Sequence, residues 1–107
     1  MDDNIKCVYK IKCRDTNITE FYIGSSIEFN KRKAQHIIDI NNINGRKYNY
    51  KIYKFIRDNG DFDNWEFEIV KEYPLYNIKE LQLEEQKYIK LLNPQLNSKV
   101  PRWVFIK

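Results

Sequence analysis

Along residues 5–13, Ile5, Cys7, Tyr9, Ile11 and Cys13 fall on one side of an extended chain. Lys6, Lys10 and Lys12 fall on the other, with Val8 among them. That period of two predicts a half-buried strand. Turn residues at 14–17 and a second apolar run at 20–24 predict the returning strand of a hairpin. From Ser25 the period changes. Ser25 and Glu28 have capping-box spacing, which predicts a helix starting directly after Gly24. On it Asn30, Ala34, Ile37 and Ile38 share one face, and Glu28, Arg32, His36 and Asp39 share another.

Residues 42–47 read as a loop around Gly45. A second helix follows over 48–60, with Ile52, Phe55 and Ile56 inward and Gly60 as its stop. Residues 64–74 alternate again, Trp65, Phe67 and Ile69 against Glu66 and Glu68, until Pro74 ends the strand. Asn77 and Glu80 repeat the capping-box spacing and open a helix through Leu92, which Asn93 and Pro94 terminate. The order β-β-α-α-β-α contains no βαβ unit. It predicts an α+β fold, a three-stranded antiparallel sheet flanked by helices. Residues 100–107 read as a short apolar tail that docks on the body.

At 107 residues the chain fits one domain, 1–107 with a core at about 5–99, and its 42% hydrophobic content disfavours disorder. No apolar run has bilayer-spanning length, and the acidic start lacks a signal peptide's apolar stretch, so an intracellular protein, cytoplasmic or nuclear, with no membrane partner is expected. A net charge of +4 leans toward a polyanionic partner. Cys7 and Cys13 lie on one strand about 20 Å apart at the strand rise, beyond disulfide reach. They also lack zinc-site spacing. Both read as small strand residues in a reducing compartment.

Three features stand out against this background. Ile78, Leu81, Glu85, Tyr88 and Leu92 form one helical stripe with a carboxylate among apolar side chains. Either Glu85 reaches water or a lysine from the stripe's edge, or it is a metal ligand at the bottom of a cleft. Glu84 sits on a face where solvation suffices. Arg32 and His36, the chain's one histidine, stack at i, i+4. They make either a solvated face or a phosphate grip beside an imidazole. Tyr9 and Tyr22 occupy the two strands of the hairpin, as packing or as rim hydroxyls. Phosphodiester cleavage calls for a phosphate clamp, a metal ligand and a proton-handling group together.

In this order the pieces resemble the GIY-YIG nuclease family. "CVY" at 7–9 stands where the family has its first motif, and "YIG" at 22–24 is the second motif verbatim. Arg32 and His36 occupy the family's helix positions. "EEQKYIKLLNPQLN" resembles its terminal signature, which selects Glu85 over Glu84 and adds Asn97. The resemblance spans about residues 5–99. One departure is Cys7, where the family usually has glycine.

The resemblance implies a metal-dependent DNA endonuclease. Glu85 would bind one Mg²⁺ or Mn²⁺ ion, a hard cation suited to one carboxylate plus waters and phosphate oxygens. Tyr9 would activate water, Tyr22 and His36 would position or share its proton, Arg32 would hold the phosphate, and Asn97 would bond within the site. Ser25, Lys10 and Lys33 would add nucleic-acid contacts, Ser25 with the N-terminal amides of the first helix. The length leaves no room for a separate DNA-binding domain, so choice among sites, branched DNA or foreign DNA would rest on the catalytic surface, a homo-oligomer or a targeting partner. The alternatives are a weak or inactive nucleic-acid-binding module of the same fold, and a structural domain with incidental charge.

Overall fold

In the computed structural model, which describes residues 5–97, the first alternating stretch forms strand β1 (Cys7–Cys13) and the second forms β2 (Phe21–Ser26). Asp15 builds the turn between them: its carboxylate accepts from the Asn17 amide at 3.0 Å and its carbonyl from the Ile18 amide at 3.0 Å. Helices α1 (Phe29–Asn41) and α2 (Lys51–Asp58), strand β3 (Trp65–Glu72) and helix α3 (Ile78–Leu92) follow. The sheet order is β2-β1-β3, both pairings antiparallel. The expected α+β order and sheet are therefore present.

β1 is central and buries side chains on both faces. Cys7, Tyr9, Ile11 and Cys13 enter a core with Phe29 and Ile40 of α1, Ile52, Tyr53 and Ile56 of α2, and Trp65. Val8 and Ile23 enter a second core with Tyr73 and Leu81 of α3. Helices α1 and α2 thus cover one face, and α3 covers part of the other. Where α3 does not reach, Lys12 closes on Glu68 at 2.7 Å and Glu66 at 3.5 Å, an exposed cross-strand charge ladder.

Several local expectations fail, each for a packing reason. β2 does not end at Gly24, because Val8 and Cys7 go on to pair with Ser25 and Ser26. α1 consequently starts at Phe29 without the expected capping box, and it is the Ser26 hydroxyl that accepts the Glu28 amide, at 2.9 Å. The inward face of α1 is also not the anticipated one: Phe29, His36 and Ile40 are buried while Ile38 is 57% exposed. Aromatic Phe29, four residues from the "SSIE" start, sets that face.

α2 is shorter than the expected 48–60. Residues 45–50 form turns instead, tied down by Arg57, which donates to the carbonyls of Ile40 (2.8 Å) and Tyr48 (2.6 Å) and lies 3.6 Å from the centre of the Tyr48 ring. A 3-10 turn at Phe62–Asn64, absent from the expectation, leads into β3. Ile69 keeps its place opposite Tyr9 on the Phe67 side of β3 but is partly exposed, and past it a register shift opposite Val8 and Tyr9 lets Val70 pack on the second core. On α3 the stripe is real only in the middle: Leu81 is buried, but Ile78 and Leu92 are 57% and 41% exposed.

Both cysteines are free and buried. Cys7 points into the first core, and burial, then Glu72, pushes its thiol up to about 12, so it stays protonated. The family's glycine position here carries a side chain that the core absorbs. Among the described residues no helix is long and apolar enough to cross a membrane. The tail at 100–107 lies outside the described residues.

The capping box of α3 is complete, Asn77 accepting from the Glu80 amide at 2.8 Å and the Glu80 carboxylate from the Asn77 amide at 3.0 Å. Asn93 ends the helix in the left-handed region (φ 51°), which asparagine tolerates. Asn77→Ala should lower stability by about 0.5–2 kcal/mol in urea unfolding, with the far-UV circular dichroism of the native state retained.

Candidate active site

Tyr9 projects from the middle of the central strand directly over Gly24, its partner on β2. A Cβ placed on Gly24 would come within 2.5 Å of the Tyr9 hydroxyl oxygen and 3.0 Å of the Tyr22 ring. The glycine of "YIG" is therefore not a turn residue or a strand end. Its missing side chain is the space in which the two tyrosines converge, with ring centroids 6.4 Å apart.

The α1 face then brings His36 against both rings, at centroid distances of 5.9 Å to Tyr9 and 5.8 Å to Tyr22. His36 Nε2 lies 2.7 Å from the Tyr9 hydroxyl and Nδ1 lies 2.8 Å from the Tyr53 hydroxyl. Only 3% of His36 is exposed. Burial, then the charges of Arg32 and Lys47, lowers its pKa to about 3. The imidazole is neutral at physiological pH, with one nitrogen donating and the other accepting.

Arg32, one turn before His36, is the cation of the site. Burial would lower its pKa, and the Tyr9, Tyr22 and Tyr53 hydroxyls more than offset that. Burial raises Tyr9 well above the ordinary phenol, reinforced by Tyr22 and opposed by Arg32. Tyr22 is raised likewise by burial and then by Glu85, again opposed by Arg32. Both phenols keep their protons at neutral pH.

Glu85 approaches from α3, on the other side of the sheet. Its carboxylate accepts the hydroxyl of Ser25, which β2 carries one residue past Gly24. Burial raises its pKa, and Ser25 and Arg32 counteract. Ser25, Arg32 and Glu85 line one cleft of about 680 Å³ together with Lys79, Gln82, Leu83 and Gln86 of α3. The structure thus brings Tyr9, Tyr22, Arg32 and His36 into one cluster and sets Glu85 and Ser25 beside it. Among the described residues no group of three or more His, Cys, Asp and Glu forms a metal cage.

Asn97 is placed differently. Its side chain accepts from the Ile23 amide at 2.9 Å and donates to the Ile23 carbonyl at 2.8 Å, imitating a neighbouring strand on the open edge of β2. With the Leu96 amide on the Phe21 carbonyl at 3.0 Å, it pins the edge that presents Tyr22, Gly24 and Ser25. Lys10 is on the sheet face opposite Tyr9, its ammonium 4.5 Å from the Phe21 ring centre, and Lys33 is 5.5 Å from that of Phe67. Neither lines the cleft. Glu84 pairs with Lys87 at 2.8 Å and accepts the Tyr73 hydroxyl at 3.1 Å.

Sequence reasoning missed Tyr53, Lys47 and Lys79. For Tyr53 a signal existed: it flanks the Ile52–Ile56 face of the helix as closely as Phe55 does, on the opposite side. Lys47 carried none, because a loop residue's reach depends on how the loop closes.

Two measurements check this geometry. Gly24→Ala overpacks the tyrosine pair and should cost about 1–3 kcal/mol in urea unfolding. The second concerns pH. The His36 pKa is lower in the folded than in the unfolded chain, so the unfolded state binds the extra proton. Stability from this group is complete above about pH 6.5 and is lost as the pH falls from there toward 3, at up to about 1.4 kcal/mol per pH unit. The difference in stability between the wild type and His36→Gln, measured from pH 7 to 4, should follow that slope.

The family model of the GIY-YIG catalytic domain matches residues 5–99. Among solved structures, the catalytic domain of the homing endonuclease I-TevI is similar at 26% identity and a TM-score of 0.67. The match covers 86% of this chain and 92% of that one. No curated protein matches. The two tyrosines converging on Gly24, the Arg32–His36 face and the carboxylate on the last helix are thus set in a chain that belongs to the GIY-YIG family of nuclease catalytic domains.

Proposed function

We propose that this domain hydrolyses DNA phosphodiester bonds with one divalent cation held at Glu85 and with water activated at Tyr9. The observation that carries the reading is the 2.7 Å bond between the Tyr9 hydroxyl and His36, formed beside Arg32 and next to the Glu85 cleft.

Glu85 fits a single hard cation. It is a half-buried carboxylate whose desolvation a bound ion would relieve, and waters and phosphate oxygens would complete the shell. Mg²⁺ or Mn²⁺ bound there would stabilise charge at the scissile phosphate and on the leaving oxygen. Ser25 donates to Glu85 and fixes its direction. Arg32 holds the non-bridging phosphate oxygens through paired N–H donors.

Tyr9 does not work as a standing phenolate, because burial holds its proton. It accepts a proton from the attacking water while passing its own to His36 Nε2. Tyr22 orients that water from the other side of Gly24. Asn97 acts through β2, as a positioning residue. Lys79 on the cleft wall serves a phosphate beside the scissile one, and Lys33 and Lys10 serve phosphates on the flanks.

The experiment incubates supercoiled, linear and branched DNA with the protein, in Mg²⁺ or in chelator, beside Glu85→Ala. Cleavage is expected only with metal and should fall at least about 100-fold in the variant. Mg²⁺ affinity should weaken on acidification, since protons compete for a carboxylate whose pKa is raised. Binding without cleavage would mean a non-hydrolytic module instead. Equal cleavage by Glu85→Ala would remove the metal assignment.

A further inference from the structure

Beyond Lys79, the α3 wall of the Glu85 cleft has no part in the chemistry above. Leu81 and Tyr88 turn one side of α3 into the second core. On the far side Lys79, Gln82, Leu83, Gln86 and Lys90 follow at spacings of 3, 1, 3 and 4, one stripe that is exposed apart from the half-buried Gln86. Lys79, Gln82, Leu83 and Gln86 line the Glu85 cleft. Leu83, Gln86 and Lys90 line a second groove of about 470 Å³ on their other side. The stripe is thus a ridge continuous with the cleft that holds Arg32 and Glu85.

Its composition is not that of a solvated helix face, which would set acids three or four residues from its lysines. No acid stands at those positions from either Lys79 or Lys90. Glu80 and Glu84 lie to one side of the ridge, occupied by the Asn77 amide and by Lys87, and Glu85 lies to the other. Between the two lysines are two amides and a leucine that is 59% exposed. Neither glutamine and neither lysine has a hydrogen bond or ion pair among the described residues.

On the reading that a DNA phosphodiester is held at Arg32 and Glu85, we propose that this ridge enters the major groove beside the scissile phosphate and that Gln82 and Gln86 select the bases there. A helix with its side chains is about 10–12 Å across, which fits the major groove at about 12 Å and not the minor groove at about 6 Å. Lys79 and Lys90 are about 16 Å apart along the helix, so they reach phosphates on the two groove walls while the residues between them face base edges. Gln82 and Gln86 are about 6 Å apart, close to two base-pair steps. A glutamine amide offers one acceptor and a donor pair, the complement of adenine N6 and N7, and a leucine packs on the thymine methyl group. The ridge therefore favours A·T pairs next to the cut, and the lysines add affinity without base choice.

The test binds the full chain, in chelator, to a pool of duplexes with a random central segment and sequences the retained fraction. The wild type should enrich A·T pairs at neighbouring positions. Gln82→Ala and Gln86→Ala should each erase the enrichment at one of them and weaken binding to the selected duplex about 5–100-fold. Replacing its adenines with 7-deazaadenine, which lacks only the major-groove acceptor N7, should weaken the wild type and leave the double glutamine variant unmoved. No enrichment in the wild type, enrichment that survives both substitutions, or indifference to 7-deazaadenine overturns the proposal. A wild type that shows these preferences without cleaving in Mg²⁺ sinks the nuclease reading and leaves this one standing. Cleavage with no base preference does the reverse.

Discussion

The hydrogen bond between a buried phenol on the central strand and a buried imidazole on the first helix is the constraint around which this fold is arranged. Tyr9 and His36 can meet only if the strand between them and the cleft yields space, and Gly24 yields it. They can stay buried only if every polar atom finds a partner, and Tyr53 supplies the last one. Phe29 and Ile40 then hold α1 against the sheet at the rotation that turns Arg32 and His36 inward. Elements without chemistry of their own are tied to the same end. Arg57 fastens the loop before α2, and α2 delivers Tyr53.

This polar cluster inside an apolar core is tolerated because most of it is neutral. Two phenols that keep their protons and an imidazole that refuses one cost little beyond their hydrogen bonds. The charge is concentrated in Arg32, which is only half-buried and faces the cleft. A site of this kind is electrostatically prepared for an anion before any ligand arrives: the guanidinium is surrounded by groups that favour its charge and do not cancel it. The same desolvation that keeps Tyr9 protonated makes a hydroxide-like phenolate unavailable, which is why proton transfer rather than a pre-formed base suits the geometry.

Much of the fold was legible in the sequence because periodicity and caps are local. β1, β3 and α3 carried clean alternation or a complete capping box, and the antiparallel sheet followed from the hairpin and the absence of a βαβ unit. What was illegible depended on neighbours. The start of α1 moved because Ser25 and Ser26 found partners on β1, something "SSIE" alone does not encode. The inward face of α1 was misread because Arg32 and His36 look like surface residues until Tyr9 and Tyr53 are placed beside them. A register shift past Ile69 brings Val70 onto the second core. In the site, Glu85 was marked by an apolar stripe that proves incomplete at both ends, with Leu81 and Tyr88 its members on the second core.

The two cores also explain why the site straddles the sheet edge. Tyr9, His36 and Arg32 belong to the α1–α2 side, and Glu85 belongs to the α3 side, so no single core can hold both halves. They meet where β2 is an edge strand and its residues alternate between faces: Tyr22 toward one half, Ser25 toward the other, with Gly24 opening the space between. An edge strand is ordinarily a hazard, and Asn97 and Leu96 cover this one with three hydrogen bonds. The same cover fixes the spacing between the cationic half and the carboxylate half. Loosening that cover would let the two halves part at β2, the one strand that presents side chains to both.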